Sequence, residues 1–133
     1  MSERKRLPDR RKTERQKAWV NGQSIYLDMG HYPDGSLGEI FVDVHRSGSA
    51  FRGLMDGMAR LFSISLQYQV PLEQLVAAIK GIDFPPHGPV SGSENVKEAV
   101  SLLDYVAKEL EATYLAEPVP EKVAGKYEQG SGV

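Results

Sequence analysis

The sequence contains no cysteine. This absence excludes disulfides, thiolate metal ligands and thiol-based redox chemistry, because each of these needs a cysteine sulfur. Long hydrophobic runs are missing as well: no apolar stretch reaches about 18 residues, the length that a membrane-spanning helix requires. The basic N-terminus also lacks the apolar segment of a secretory signal. We therefore expect a cytoplasmic chain with no membrane partner and no reductase activity of its own.

Histidine is scarce, and its three copies, His31, His45 and His87, lie far apart in the sequence. No helix presents the paired histidines or the Glu-x-x-His spacing of a metal site, and no segment resembles a nucleophile elbow. Carboxylates such as Asp104 and Glu111 are predicted on the solvated face of the last helix. The sequence thus predicts a chain that is not an enzyme and that needs no metal or other cofactor.

The charge is distributed unevenly along the 133 residues, although the net charge is only -2. Residues 1–17 hold eight of the sixteen basic residues, which leaves the remainder acidic. We predict a basic arm over residues 1–12, a single domain over residues 13–115 and a flexible tail over residues 116–133. For the arm, three alternatives stay open: it is solvated, it binds a nucleic acid or phosphorylated ligand, or it docks on its own body or a second subunit.

The first half of the domain has the pattern of an antiparallel β-meander. Asn21-Gly22 is the typical turn of a two-residue hairpin, because both central positions need a positive φ. It separates two predicted strands, residues 15–20 and 23–29. A Pro-Asp-Gly turn then leads into a third strand, Leu37 to His45, whose side chains alternate between apolar and polar. The meander therefore has at least three strands and one apolar face.

The opposite face of this meander carries three aromatic residues, Trp19, Tyr26 and Phe41. Such a cluster suggests a contact, and three kinds are open: a subunit interface in a homo-oligomer, base stacking on a nucleotide, or cover by the basic arm. We favour the homo-oligomer.

Three helices are predicted to follow, from Ala50 to Gln69, from Leu72 to Gly81 and from Asn95 to Leu115. The predicted fold is therefore α+β in the order βββααα, with the three helices covering one face of the sheet. The first helix has apolar residues on most sides, so we expect it to be buried on most sides.

A line of polar residues remains on this first helix, with spacings of three and four that place its members on one face. The line is either a surface ladder of ion pairs or part of a ligand site. Gly53 and Gly57 flank it and lower the helix propensity, which close approach of a ligand or another backbone would offset. The members of the line are Arg52, Asp56, Arg60, Ser63 and Gln67.

The tripeptide Ser-Gly-Ser occurs twice, at residues 47–49 and 91–93, each time before a predicted helix. Both copies are either plain helix caps or, because free N–H groups and the helix dipole attract anions, phosphate sites. This signal is weaker than that of a P-loop. The predicted ligand-binding residues are Arg46, Ser47, Gly48, Ser49, Arg52, Asp56, Arg60, Phe84, His87, Ser91, Gly92 and Ser93.

Several sequence blocks resemble, in order, the C-terminal domain of adenosylcobalamin-dependent ribonucleotide reductases, often called the TSCPD domain. The resemblance covers nearly the whole chain, from about Arg4 to Leu115. Its blocks are Arg6-Leu7-Pro8-Asp9-Arg10-Arg11, Tyr32-x-Asp34-Gly35-x-Leu37-Gly38-Glu39-Ile40-Phe41, Gly53-Leu54-Met55-Asp56, Ser63-Ile64-x-Leu66-Gln67-Tyr68-x-Val70-Pro71-Leu72-Glu73, Phe84-x-Pro86-x-Gly88-Pro89-Val90-x-Gly92 and Leu103-Asp104-Tyr105.

In the family that the chain resembles, the catalytic barrel, the cysteines and the cobalamin site lie outside this domain, and this chain lacks the Thr-Ser-Cys-Pro-Asp motif. Short stand-alone versions look like bacteriophage or prophage products, with a further similarity to anti-Thoeris proteins that sequester cyclic nucleotide signals. The resemblance thus implies non-catalytic binding of a nucleotide or nucleotide-derived cyclic anion, as in a sponge for immune signals. The alternative is an accessory module for a ribonucleotide reductase subunit encoded elsewhere.

Overall fold

The computed structural model describes residues 3–45 and 47–121 of the chain. The fold is α+β, with five antiparallel strands and three helices, which confirms the predicted class. The order is βββααββα and not βββααα, because two short strands lie between the second and third helices. The elements are β1 (Thr13–Val20), β2 (Gln23–His31), β3 (Leu37–Asp43), α1 (Ser49–Gln67), α2 (Leu72–Ile79), β4 (Gly88–Ser91), β5 (Glu98–Ala99) and α3 (Leu102–Tyr114).

The sheet has the strand order β3-β2-β1-β4-β5. The predicted hairpin turn between β1 and β2 is confirmed, since Asn21 has a φ of 46° and Gly22 a φ of 88°. The backbone N–H of Asn21 donates to the carbonyl of Pro89 at 2.9 Å. On the same side, Val20 of β1 pairs with Val90 of β4. The turn therefore connects β1 to β2 and is also hydrogen-bonded to β4.

Strand β3 pairs with β2 and carries α1. Leu27 lies opposite Val42 and Met29 opposite Ile40, and all four side chains are buried. The third strand ends at Asp43, two residues before the predicted end. Packing of α1 on β3 closes the apolar face here.

Helix α1 is not buried on most sides as predicted. Its buried face contains Met55, Ala59, Phe62 and Leu66, together with two polar residues. Leu54 and Leu61 lie outside this face and are exposed by 73% and 68%; Ile64 and Tyr68 are exposed by 37% and 44%. The prediction was wrong because the distribution of apolar residues around a helix does not determine how many of its sides pack against the rest of the chain.

Helix α3 begins at Leu102, not at Asn95 as predicted. Its N-cap is Ser101, whose hydroxyl accepts a hydrogen bond from the N–H of Asp104 at 2.9 Å. The segment before it enters the sheet as β4 and β5, with Gly88 opposite Ala99. The second Ser-Gly-Ser tripeptide therefore begins at the last residue of β4 and caps no helix in the described structure. Gly81, the predicted last residue of the second helix, lies two residues beyond its end at Ile79 and has a φ of 87°, which favours glycine at that position.

The contacts divide the chain into two compact units. Of the described residues, one unit holds those within 3–17 and 24–71, and the other holds those within 18–23 and 72–121. Within residues 3–45 and 47–121, no helix is long and apolar enough to cross a membrane.

In the first unit, the basic arm docks on its own chain. The Arg4 guanidinium donates to the Gln67 side chain at 2.7 Å, and the backbone N–H of Lys5 donates to the Gln67 carbonyl at 2.7 Å. The hydroxyl of Tyr32 donates to the carbonyl of Lys5 at 2.5 Å. Arg11 forms a salt bridge with Glu39, a side chain that is only 7% exposed. Of the three alternatives for the arm, docking on its own body is the one that the structure shows.

In the second unit, α2 packs on α3, and a buried ion pair joins them. The Lys80 ammonium donates to both carboxylate oxygens of Glu111, at 3.0 and 2.8 Å, and to the carbonyl of Val119 at 2.9 Å. The N–H of Val119 returns a bond to Glu111 at 2.7 Å. The first residues of the predicted tail are therefore held against the helices, whereas residues 122–133 lie outside the described residues.

Candidate functional site

A groove of about 350 Å³ opens at the N-terminal end of α1 in the first unit. One wall is the end of β3 and the residue that follows it, and the other is the first two turns of the helix. The predicted site residues Ser49, Arg52 and Asp56 are brought together here. The groove is lined by Val42, Asp43, Val44, Ser49, Arg52, Gly53 and Asp56.

The first turn of α1 has no side-chain cap among the described residues. Its N-cap is Gly48, with φ -63° and ψ 157°, and among the described residues no side chain caps it. The prediction that Ser47 or Ser49 caps this helix is therefore wrong, because Ser49 already belongs to the first turn. The first N–H groups of a helix have no acceptor within the helix, and they lie at the positive end of its dipole. No acidic residue stands in the first turn to occupy them.

Arg52 supplies the positive charge of the groove. It is exposed, and its side chain forms no hydrogen bond or salt bridge with any residue in the described part of the chain. The two acids nearby have partners: Asp56 binds Arg60 at 3.1 Å, and Asp43 lies 3.4 Å from the His45 ring. A phosphate at the helix end would therefore meet an available guanidinium.

The predicted polar line of α1 divides into two parts. Asp56 and Arg60 are in solvent, while Ser63 and Gln67 belong to the buried face of the helix. The Ser63 hydroxyl accepts from the N–H of Ile40 at 2.8 Å, and the Gln67 amide donates to the carbonyl of Gly38 at 3.0 Å. Ser63 and Gln67, in the C-terminal part of the line, therefore attach α1 to β3 by hydrogen bonds. Arg46, another predicted site residue, lies outside the described residues.

The other predicted site residues belong to the second unit. The His87 ring lies 3.0 Å from the Asp83 carboxylate, and the N–H of Phe84 donates to the carbonyl of Val100 at 3.0 Å. Ser91, at the end of β4, and Gly92, which follows it, are exposed.

Ser93, in contrast, is buried and its hydroxyl is fully used. It donates to Glu109 at 2.7 Å and accepts from the N–H groups of Asn95 and Val96, at 3.2 and 3.1 Å. This serine orders the segment that leads to β5.

Sequence reasoning missed the buried polar network around Ser93. The Tyr105 hydroxyl, fully buried, donates to the same Glu109 carboxylate at 2.9 Å. Burial first, and then the negative charge of Glu109, raises the pKa of Tyr105 far above its ordinary value. The available signal was the spacing of four residues that joins Tyr105 to Glu109 on one helix face.

Asp104 and Glu111 do not occupy a solvated face as predicted. Asp104 has no exposed surface and accepts from the N–H groups of Gly81 at 2.8 Å and Val100 at 3.0 Å. The Lys108 ammonium lies 2.9 Å from it. These acids stabilise the second unit. Among the residues that the structure describes, no group of three or more His, Cys, Asp or Glu could hold a metal ion.

Comparison with known proteins gives a consistent result. The family model for the TSCPD domain matches residues 2–114. The chain is 47% identical over 116 residues to a vitamin B12-dependent ribonucleotide reductase of Bradyrhizobium diazoefficiens, which covers 87% of this chain and 9% of that protein. The corresponding protein of Agrobacterium fabrum is 48% identical over 113 residues, 85% of this chain and 9% of its own length.

A more distant relative of the same name, from Rhodopirellula baltica, is 38% identical over 113 residues, 85% of this chain and 11% of that protein. The chain thus spans about a tenth of the length of the curated relatives it matches. No solved structure matches the chain.

Proposed function

The chain belongs to the TSCPD domain family, and from that premise we propose that it binds a nucleotide or a nucleotide-derived anion and releases it unchanged. The phosphate is held at the N-terminal end of α1, between the first N–H groups of the helix and the guanidinium of Arg52. The biological role that we propose is sequestration of a nucleotide signal.

The observation that carries this proposal is the combination of a helix start without a side-chain cap in the described structure and an exposed arginine beside it. A helix N-terminus attracts phosphate through its N–H groups and its dipole, and an arginine adds two parallel donors to the same oxygens. In the groove, Ser49 contributes a hydroxyl beside them. None of these groups is a redox centre, and the chemistry that we propose is recognition alone.

The test is titration calorimetry with the full chain against cyclic dinucleotides, ADP-ribose and pyrophosphate. We expect binding of at least one of the nucleotide ligands, and we expect Arg52→Ala to weaken it at least tenfold, because a charge-assisted bond contributes about 1.5–3 kcal/mol. The melting temperature should stay within about a degree, since the Arg52 side chain is exposed.

Arg10→Ala is the matched control, because it removes the same charge from an exposed position in the arm. We expect it to leave the affinity unchanged. Equal weakening by both variants would show that general charge and not the groove attracts the ligand. Absence of heat with every nucleotide would end the proposal.

A second candidate function is an accessory module for a ribonucleotide reductase. It is favoured by the 47% identity with a region of the Bradyrhizobium diazoefficiens protein. Phe41, 51% exposed on β3, would be part of such a contact. Capture of a purified B12-dependent reductase by the full chain, lost in Phe41→Ser, is the expected result; no capture would exclude this function for that reductase.

A further inference from the structure

An apolar stripe runs along the exposed side of α1. Leu54, Gly57, Leu61, Ile64 and Tyr68 follow one another at intervals of three and four residues, which places them within about 80° of the helix circumference. Four of them are large exposed apolar side chains, three within α1 and the fourth, Tyr68, at its C-cap. Intervals of this kind are those of helices that pack side by side in coiled coils.

One glycine, Gly57, belongs to this stripe, and a second, Gly53, directly precedes it. A Cβ atom built on Gly53 or Gly57 would meet no described atom within 4 Å. The packing of this chain on itself therefore does not require a glycine at either position, although glycine weakens an exposed helix. A glycine on the helix surface lets a second backbone approach closely.

The charged residues beside the stripe are complementary to the same residues of a second copy. Asp56 and Arg60 stand four residues apart at one edge, with side chains exposed by 55% and 77%. In an antiparallel pair of α1 helices with its two-fold axis between Gly57 and Met58, Leu54 of one copy is level with Leu61 of the other. Arg60 is then within one residue of being level with Asp56 of the other copy.

We propose that α1 pairs with α1 of a second copy of this chain in that antiparallel arrangement. A second copy is favoured over a different partner because one rotation matches leucine to leucine and acid to base. Glycine at the axis then lies where the two backbones are closest.

The exposed area fits a homodimer. Apolar side chains of this size each present on the order of 100 Å², so the four reach roughly 400 Å² per copy, within the range of patches that mark interaction sites. In the proposed register Leu54 and Leu61 of the two copies cover each other, and Ile64 lies level with Phe51 of the other copy. The two patches and the residues that they cover then approach about 1,000 Å², the size of a specific interface. Singly scattered exposed residues would not reach this value.

Cysteine cross-linking tests the pairing directly, since the natural chain has no cysteine to interfere. Leu54→Cys mixed with Leu61→Cys should give a disulfide-linked dimer on mild oxidation. Either variant alone should not, because two equal positions lie about 10 Å apart along the axis, beyond the Cα separation of a disulfide. Cross-linking of Leu61→Cys to itself, or of no combination, would overturn the proposed register.

Charge exchange tests the proposed pairing of the two α1 helices independently. The measurement is sedimentation equilibrium of the full chain. Asp56→Arg and Arg60→Asp should each weaken dimerisation about tenfold, and the double variant should restore it. If both single variants dimerise like the parent, or the double variant fails to recover, the proposal is wrong.

Leu61→Lys should abolish the dimer, with a circular-dichroism melting curve that still shows the folded chain. Phe41→Ser is the matched control, because it removes another exposed apolar side chain of the same unit, outside α1. It should leave the dimer intact. A monomeric Phe41→Ser beside a dimeric Leu61→Lys would place the interface on the sheet and overturn the proposal.

Discussion

Single side chains in this protein often have partners that are distant in the sequence. The hydroxyl of Tyr105 donates to Glu109, and the same carboxyl group accepts from Ser93, sixteen residues earlier. A buried acceptor without a donor destabilises the folded state, because it has given up its hydrogen bonds to water. Each of these bonds therefore supports the others. The network fixes the segment between β4 and α3 to the helix.

Tyr105→Phe should lower the free energy of unfolding by about 1 kcal/mol at neutral pH, because one hydrogen bond to a buried carboxyl group is lost. The variant should also lose less stability at alkaline pH. The raised pKa of Tyr105 means that the folded state keeps a proton that the unfolded chain releases above about pH 10, so stability falls as the pH rises. Urea unfolding at neutral pH and at about pH 10.5 measures both effects.

Tyr68→Phe is the control for this experiment, because the Tyr68 side chain is 44% exposed. We expect Tyr68→Phe to change neither the free energy of unfolding at neutral pH nor its decrease at alkaline pH. Tyr32, whose pKa burial also raises, should keep part of the alkaline dependence in Tyr105→Phe. A variant as sensitive to alkali as the parent would contradict the role given to Tyr105.

At the scale of elements, the two long helices begin in different ways. Helix α3 has a serine cap, Ser101, which is fully buried and bonded to the N–H of Asp104. Helix α1 starts after Gly48 without a cap from any described side chain. The first arrangement stabilises the protein through a side-chain hydrogen bond, and the second provides no such bond.

Ser101→Ala should therefore lower the free energy of unfolding by about 1 kcal/mol, the usual contribution of an N-cap serine. Ser49→Ala should change it by no more than a few tenths, because Ser49 is exposed and caps nothing in the described structure. Urea denaturation of both variants makes the comparison. Equal losses would show that Ser49 does stabilise α1.

At the scale of the whole molecule, the basic arm is a structural part of the first unit. The backbone N–H of Lys5 donates to the Gln67 carbonyl, and the Lys5 carbonyl accepts from the Tyr32 hydroxyl. A Cβ atom on Gly38 would lie 2.8 Å from the Leu7 side chain, so this leucine covers the strand closely. One charge of the arm, the Arg11 guanidinium, also meets the Glu39 carboxylate of the same unit.

Deletion of residues 1–7 should lower the free energy of unfolding by roughly 3 kcal/mol, since it removes several hydrogen bonds and one packed leucine. Its control is Arg6→Gln with Arg10→Gln, which lowers the net charge by the same two units at exposed positions. We expect the control to unfold like the parent in guanidinium chloride. A truncated chain with unchanged stability would mean that the arm is merely solvated.

The candidate site was predictable in part. The spacing of Arg52 and Asp56 and the Ser-Gly-Ser tripeptide indicated the start of α1, because helix periodicity is a property of neighbouring residues. The opposite wall of the groove, Val42 to Val44, comes from β3, and no spacing along the chain connects it to α1. The exposure of Leu54 and Leu61 was unpredictable for the same reason.

By itself, the sequence determined the β-hairpin at Asn21-Gly22, the alternation of apolar and polar side chains along the strands, and the absence of thiol chemistry. These features depend on local backbone preferences and on composition. Only the tertiary structure decided which face of α1 is covered, which carboxylates are buried and that the arm docks on its own chain. Burial depends on residues that are distant along the chain and meet only after folding, as Arg11 and Glu39 do.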